Sequence, residues 1–134
     1  MIVIDASSLA KYLLRERGWE SVERYLVKDV CSIDLVIKEV ANAIWKHAVI
    51  RHILSTDQAF QVYNALIKLV NEVIVIERQD KYVNKAMEIS LSYGITIYDS
   101  LYIAQALRYK ELLTSDKTQA DVAKELGIHV YYVR

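Results

Sequence analysis

The sequence of 134 residues contains no proline, one cysteine and three glycines. With a single cysteine, the chain can form neither an internal disulfide nor a zinc site built on several thiolates. It has no Gly/Ser-rich linker and no repeat, so we expect one domain over residues 1–134. No apolar run reaches the length of about 18 residues that a membrane helix needs. Strand-like residues begin at Ile2, which leaves no room for a signal peptide, and we therefore expect a cytoplasmic protein.

Charge of one sign is also missing, because 17 basic and 17 acidic residues cancel. A chain without net charge shows no tendency to bind nucleic acid from composition alone, although local basic clusters can still supply it. The fractions of hydrophobic residues, 54%, and charged residues, 25%, are those of a compact globular protein. Composition therefore indicates a class of protein and no function.

Five short runs rich in β-branched residues alternate with segments of helical periodicity. The runs are IVID (2–5), VCSI (30–33), VIVIE (73–77), ELLTSD (111–116) and HVYYV (129–133). Gly94 and Gly127 stand where two of the helical segments should end. Such alternation predicts a parallel sheet with helices on both faces, in which ligands bind beyond the carboxyl ends of the strands.

Acidic residues stand at or near these carboxyl ends. Asp5 ends the first run, Asp116 ends the fourth, and Asp99 opens the helical segment before the fourth. Each could simply cap the helix that follows, and Gln119 forms a pattern close to a capping box with Asp116. If the first and fourth strands are neighbours, three carboxylates converge, and like charges that close need a cation among them. Hard oxygen ligands favour Mg²⁺ or Mn²⁺.

Two further acidic residues are ambiguous. Glu39 lies opposite the apolar stripe of its helical segment, on the same side as Asn42 and Ala43. That side could face water or line an open cleft, and periodicity does not decide between the two. Asp121 could join the acidic group, but a surface position on the last helix explains it equally well.

Four short motifs follow one another along nearly the whole chain. They are Asp5-Ala6-Ser7 after the first strand, Glu39 with Asn42 and Ala43 on a helix, Tyr98-Asp99 before an apolar helix, and Thr114-Ser115-Asp116 at the end of the fourth strand. In this order and spacing they resemble the motifs of the PIN domain family, and within it those of the small VapC-type toxins. Ser100 stands where the family usually has alanine, which is also small.

The resemblance implies an α/β/α sandwich with a five-stranded parallel sheet. It implies an Mg²⁺- or Mn²⁺-dependent endoribonuclease, the toxin of a toxin–antitoxin (VapBC) pair, with a cognate antitoxin and a second copy of the chain as partners. The metal would be bound by four residues: Asp5, Glu39, Asp99 and Asp116. Ser7, Asn42 and Thr114 would orient those carboxylates.

RNA must reach this acidic site, and basic residues on two helical segments could contact its phosphates. They are Lys11 and Arg15 in one segment, and Lys38, Lys46, His47, Arg51 and His52 in the other. Each is explained equally well as part of a solvated face. We expect Trp19 and Trp45 in the core, and Tyr102 in the core or at a subunit interface.

Other interpretations use some of the same residues. A phosphoacceptor receiver domain needs an acidic pair after the first strand and a lysine near the fifth, and this chain has neither. A phosphatase of the haloacid dehalogenase type needs Asp-x-Asp after the first strand, where Ser7 replaces the second aspartate, although SDKTQAD (115–121) is similar to its acidic metal loop. A PIN domain that only binds a partner, or an RNA-processing nuclease that is not a toxin, would keep the same motifs. An adjacent gene for a small DNA-binding antitoxin would identify the toxin.

Overall fold

The computed structural model describes the whole chain, Met1 to Arg134. It contains one five-stranded, entirely parallel sheet with the order β3-β2-β1-β4-β5. The strands are β1 (Ile2–Ile4), β2 (Val30–Ile33), β3 (Ile74–Glu77), β4 (Glu111–Thr114) and β5 (His129–Tyr132). All five predicted strands are confirmed, but β4 ends at Thr114 and not at Asp116, because Asp116 caps the next helix.

Seven α-helices connect the strands. They are α1 (Ala6–Leu13), α2 (Trp19–Leu26), α3 (Leu35–Trp45), α4 (Thr56–Glu72), α5 (Val83–Tyr93), α6 (Ile97–Tyr109) and α7 (Lys117–Glu125). A π-helical turn (Lys46–Ile50) extends α3, and a 3₁₀ turn (Gln79–Tyr82) precedes α5. None of the helices has the length and apolarity needed to cross a membrane.

The helices form a layer on each face of the sheet. Helices α1 to α4 pack among themselves on one face, and α5 to α7 pack among themselves on the other. Right-handed crossovers require this division. The chain crosses the sheet in one direction from β1 through β2 to β3, and in the opposite direction from β3 to β4 and β5, so the two sets of helices lie on opposite faces. The adjacency of β1 and β4, on which convergence of the carboxylates depends, is confirmed.

Helix α6 is the centre of the second layer. Seven consecutive residues of this helix, Ser100 to Ala106, are buried, so every side of its middle is covered. A helix that is apolar all round must be buried in this way. The long apolar stretch around Asp99 in the sequence is therefore a core helix that reaches the carboxyl edge of the sheet with its first turn.

Two predictions about buried residues are wrong. Trp45 is 49% exposed, because α3 buries Val36, Val40 and Ile44 and turns the neighbouring Trp45 outward. His47, predicted to lie with the basic residues, is buried. The single cysteine, Cys31, is buried in β2.

Candidate active site

Asp5 is a fully buried carboxylate between β1 and β4. It caps α1, and its Oδ1 accepts hydrogen bonds from the Ser7 hydroxyl at 2.7 Å and the Ser8 backbone N–H at 3.0 Å. The Thr114 hydroxyl donates to its Oδ2. Burial raises the pKa of Asp5 to about 6 although these hydrogen bonds oppose the shift, and the charge of Asp116 raises it further. Burial thus destabilises the ionised form of Asp5, while three hydrogen bonds fix the orientation of its carboxylate.

Asp116 lies beside Asp5, one strand away. It caps α7 by accepting a hydrogen bond from the Gln119 backbone N–H at 2.9 Å, and its own N–H donates to the Thr114 hydroxyl oxygen at 3.0 Å. The capping role predicted for Asp116 is confirmed. The reciprocal half of the capping box is not formed, because the Gln119 side chain donates to Asp99 Oδ1 at 3.1 Å.

Asp99 is inside α6 and does not cap it. The helix begins two residues earlier than predicted, and the Thr96 hydroxyl oxygen accepts from the Asp99 backbone N–H at 3.2 Å. The capping alternative for Asp99 is therefore wrong, because Thr96 is the residue that caps α6. Burial raises the pKa of Asp99, and the charge of Asp116 adds to the effect.

Glu39 faces the inside of a cleft between α1 and α3. The cleft has a volume of about 370 Å³ and is lined by Ala6, Ser7, Ala10, Lys38, Glu39, Asn42, Ala43 and Lys46. The hydroxyl of Tyr102 donates to Glu39 Oε1 at 2.6 Å from the opposite layer. Burial raises the pKa of Glu39, and the charge of Asp99 contributes. The side of α3 that helical periodicity left open is therefore a cleft wall.

The four predicted carboxylates form one electrostatically coupled group. Asp116 acts on Asp5 and on Asp99, and Asp99 acts on Glu39. None of the four takes part in an ion pair, whereas Glu77, Asp80, Glu88 and Asp121 all do. No three acidic, histidine or cysteine side chains are close enough to bind one metal ion together.

These residues still fit a hard divalent cation in their chemistry. Carboxylate oxygens are its preferred ligands, and a cation would relieve both the burial and the mutual repulsion of the group. The side chain of Gln119 lies beside Asp99, and its Oε1 is buried without a hydrogen-bond donor. This oxygen is therefore an unused acceptor at the site, which a positively charged ligand could engage. Because no three of these side chains lie close enough together as they stand, binding one ion would require them to turn towards a common point.

The residues predicted to orient the carboxylates divide into two groups. Ser7 and Thr114 both donate to Asp5, as described above. Asn42 lines the cleft but makes no hydrogen bond to any of the four carboxylates. Asp121 is exposed and pairs with Lys117 at 3.2 Å, which places it on the surface of α7.

Two side chains that hydrogen-bond to the carboxylates, those of Tyr102 and Gln119, were not predicted to do so. The ring of Tyr102 is buried as predicted, but its hydroxyl binds Glu39. Its position three residues after Asp99, on the same side of α6, was a signal that it could reach the site. Gln119 was interpreted only as part of a cap, and its link to Asp99 depends on the packing of α7 against α6.

The residues predicted to contact RNA do not form one cluster. Lys46 lines the cleft with Glu39. The guanidinium of Arg15 lies over the rings of Tyr12 and Trp19, 4.7 and 4.1 Å from their centroids. The ammonium of Lys11 donates to the Arg17 carbonyl oxygen at 3.1 Å. Arg51 is exposed at the end of the π-helical turn.

Comparisons with known proteins agree with this fold. The chain is 31% identical over 123 residues to Ribonuclease VapC3 of Pyrobaculum aerophilum, a match that covers 90% of this chain and 92% of that protein. The structure of this chain superposes on the crystal structure of FitAcB from Neisseria gonorrhoeae with a TM-score of 0.56 and 17% identity. The superposition covers 98% of this chain and 96% of the other. The sequence model of the PIN domain matches residues 2–125. The chain therefore belongs to the PIN domain family.

Proposed function

We propose that this protein is a divalent-metal-dependent endoribonuclease in which Asp5, Glu39, Asp99 and Asp116 bind the metal. The observation that supports this most strongly is a coupled group of four carboxylates without a single cationic partner, at the carboxyl edge of a parallel sheet. Asp5 is fully buried and the other three are half-buried, and carboxylates removed from water in this way are normally paired with a cation. The name of the curated relative, a ribonuclease, supports the same activity.

The metal we propose is Mg²⁺ or Mn²⁺, the ions that an all-oxygen ligand set favours. Such an ion supplies positive charge that makes a bound water more acidic and stabilises the negative charge developing on an attacked phosphate. Ser7 and Thr114 fix the orientation of Asp5, and Tyr102 and Gln119 do the same for Glu39 and Asp99. These hydrogen bonds limit the conformations of Asp5, Glu39 and Asp99 without metal, and they would rearrange when the side chains turn towards one ion.

The cleft beside Glu39 would receive the scissile part of the RNA. Lys38 and Lys46 line it, and their ammonium groups can neutralise phosphates that would otherwise be repelled by the four carboxylates. Asn42 lies in the same wall and offers an amide to a sugar or phosphate. Arg15 is a weaker candidate, because its guanidinium already stacks on two aromatic rings.

We also propose that the nuclease is the toxin of a toxin–antitoxin pair, with an antitoxin protein as partner. The match to VapC3 over most of both chains supports this role. A toxin directed at cellular RNA would act in the cytoplasm, as one domain over residues 1–134 and as a homodimer. Expression of the chain alone should then stop cell growth, and co-expression of a small protein encoded beside it should restore growth.

The activity is tested by incubating end-labelled RNA with purified protein in Mg²⁺, in Mn²⁺ and in EDTA. Cleavage should need the metal and should be lost in Asp5→Asn. Asp57→Asn is the matched control, because Asp57 is an exposed residue of α4 and its loss should leave cleavage unchanged. If folded wild-type protein cuts no RNA with either metal and calorimetry shows no binding of Mn²⁺, the protein is a PIN domain that only binds a partner.

A further inference from the structure

Two polar cavities lie next to each other on the side of the site formed by α1, α7 and the end of β5. The first has a volume of about 580 Å³ and is lined by Lys11, Glu16, Arg17 and Arg134. The second, of about 340 Å³, is lined by Lys117, Ala120, Asp121, Lys124, Tyr132 and Arg134. Arg134 lines both cavities, so the two are adjacent, and we call them together the basic groove.

The basic groove concentrates positive charge in a chain that has no net charge. Five cationic side chains line it against two acidic ones, Glu16 and Asp121. Asp121 is paired with Lys117, whereas Arg17, Lys124 and Arg134 have no ion-pair partner. Unpaired cations at one place are repulsive unless an anionic ligand binds among them.

The helices that line the groove, α7 and α1, both begin at the proposed active site and lead away from it. Lys117 follows Asp116 directly, and Lys124 lies seven residues further along α7, about 10 Å by the rise of a helix. On the other wall, Lys11 stands one turn after Ser7 on α1. A strand whose phosphate lies at the carboxylates would therefore enter the groove with its neighbouring phosphates.

Tyr132 gives the groove a feature that a site for phosphate alone would not need. Its side chain is 42% exposed, its hydroxyl makes no hydrogen bond, and its ring stacks on no other aromatic ring. The neighbouring Tyr131, in contrast, bonds Glu111 and packs against Tyr25. A free aromatic ring among cations is the combination that binds single-stranded nucleic acid, by base stacking and phosphate contact.

We propose that the basic groove binds the single-stranded RNA on one side of the cleavage site, with phosphates on Arg17 and Lys124 and a base on Tyr132. The proposal rests on the nuclease function proposed above and extends it to substrate outside the cleft. An acidic polypeptide would match the charge of the groove but has no base to stack on the ring.

The test compares Arg17→Gln/Lys124→Gln with a control of equal charge change, Lys28→Gln/Lys110→Gln. Lys28 and Lys110 are exposed and unpaired, and they precede β2 and β4 at the opposite edge of the sheet. The affinity for a fluorescent 20-nucleotide RNA is measured in EDTA, where no metal-dependent cleavage occurs, over a range of salt concentrations. For single strands each lost phosphate contact lowers the slope of log K against log salt by about 0.7.

We expect the groove variant to lose about 1.4 from that slope and to bind on the order of tenfold more weakly at 0.1 M salt. In Mg²⁺ its KM for this RNA should rise while kcat stays unchanged, because neither residue touches the carboxylates. Tyr132→Leu should weaken RNA binding roughly tenfold. An unchanged salt slope in the groove variant, or an equal loss in the control, would show that RNA does not use the groove.

An acidic protein is tested as the other occupant with polyglutamate. If polyglutamate displaces the RNA at equal charge concentration and Tyr132→Leu has no effect on RNA affinity, the groove is a protein-binding surface and the proposal is wrong. These binding results do not depend on catalysis. Absence of metal-dependent cleavage by the wild-type protein would therefore overturn the proposed nuclease function and leave the result for the groove intact.

Discussion

Replacing Glu77 by glutamine should destabilise the protein in a way that depends on pH. Glu77 ends β3, and its side chain is only 12% exposed. It accepts hydrogen bonds from the Tyr82 hydroxyl at 2.6 Å, Gln105 Nε2 at 3.0 Å, Lys81 Nζ at 3.0 Å and Arg108 NH1 at 3.3 Å. One carboxylate therefore joins β3, the 3₁₀ turn and α6.

The size of the effect follows from the pKa of Glu77. Burial alone would raise this pKa, but the hydrogen bonds from Tyr82, Gln105 and Lys81 lower it from 4.5 to about 2. A carboxyl group with a depressed pKa stabilises the fold above its unfolded pKa and loses that contribution as the pH falls through its folded pKa. Lowering this pKa from 4.5 to about 2 corresponds to about 3 kcal/mol at pH 7 and to about 1.4 kcal/mol at pH 3.

Urea unfolding of wild type and Glu77→Gln at pH 7 and pH 3 measures this contribution. The midpoint should move without a change in m, and the difference in the free energy of unfolding should shrink by more than half at pH 3. Glu88→Gln is the control, because Glu88 is exposed and its ion pair with Lys85 at 3.2 Å contributes less than about 1 kcal/mol to the free energy of unfolding. A difference of equal size at both pH values would refute the electrostatic explanation.

Three further substitutions test the site and its supports. Asp116→Asn should abolish RNA cleavage while its free energy of unfolding stays within about 1 kcal/mol of wild type, because asparagine also caps helices; unfolding at room temperature would show that the charge is needed for the fold. Tyr102→Phe removes the donor to Glu39 and should cost about 1–3 kcal/mol in urea unfolding, and an unchanged midpoint would contradict a role for that bond. Gly18→Ala should cost about 1 kcal/mol or more in thermal unfolding, because φ is +93° and a Cβ would lie 2.9 Å from the Arg134 carbonyl oxygen; a gain in stability would contradict that strain.

The parts of the fold that local patterns determine were predictable from the sequence. Runs of β-branched residues separated by helical periodicity indicated all five strands, and the alternation of strands with helices indicated parallel pairing. Asp5 and Asp116 were identified for the same reason, because both stand where a strand gives way to a helix and the capping role of each is local.

Other features depended on contacts between distant segments. The start of α6 is a different case, because its signal is local: Thr96 caps the helix by accepting a hydrogen bond from the Asp99 backbone N–H three residues further on. The direction of Glu39 could not be derived from its own helix, because the packing of α1 against α3 determines whether that side is open. Tyr102 reaches Glu39 across the sheet, a contact between residues 63 positions apart that no local pattern contains.

The burial of α6 on every side affects how the protein can tolerate change. An amphipathic helix has a solvent face on which substitutions are nearly neutral, whereas the stretch from Ser100 to Ala106 has none. The same rigid helix has Asp99 in its first turn and, near its other end, the two residues that bind Glu77. Sequence variation and engineered solubility changes are therefore excluded from residues 100–106, and the position of Asp99 is preserved because any shift of α6 also disrupts the core.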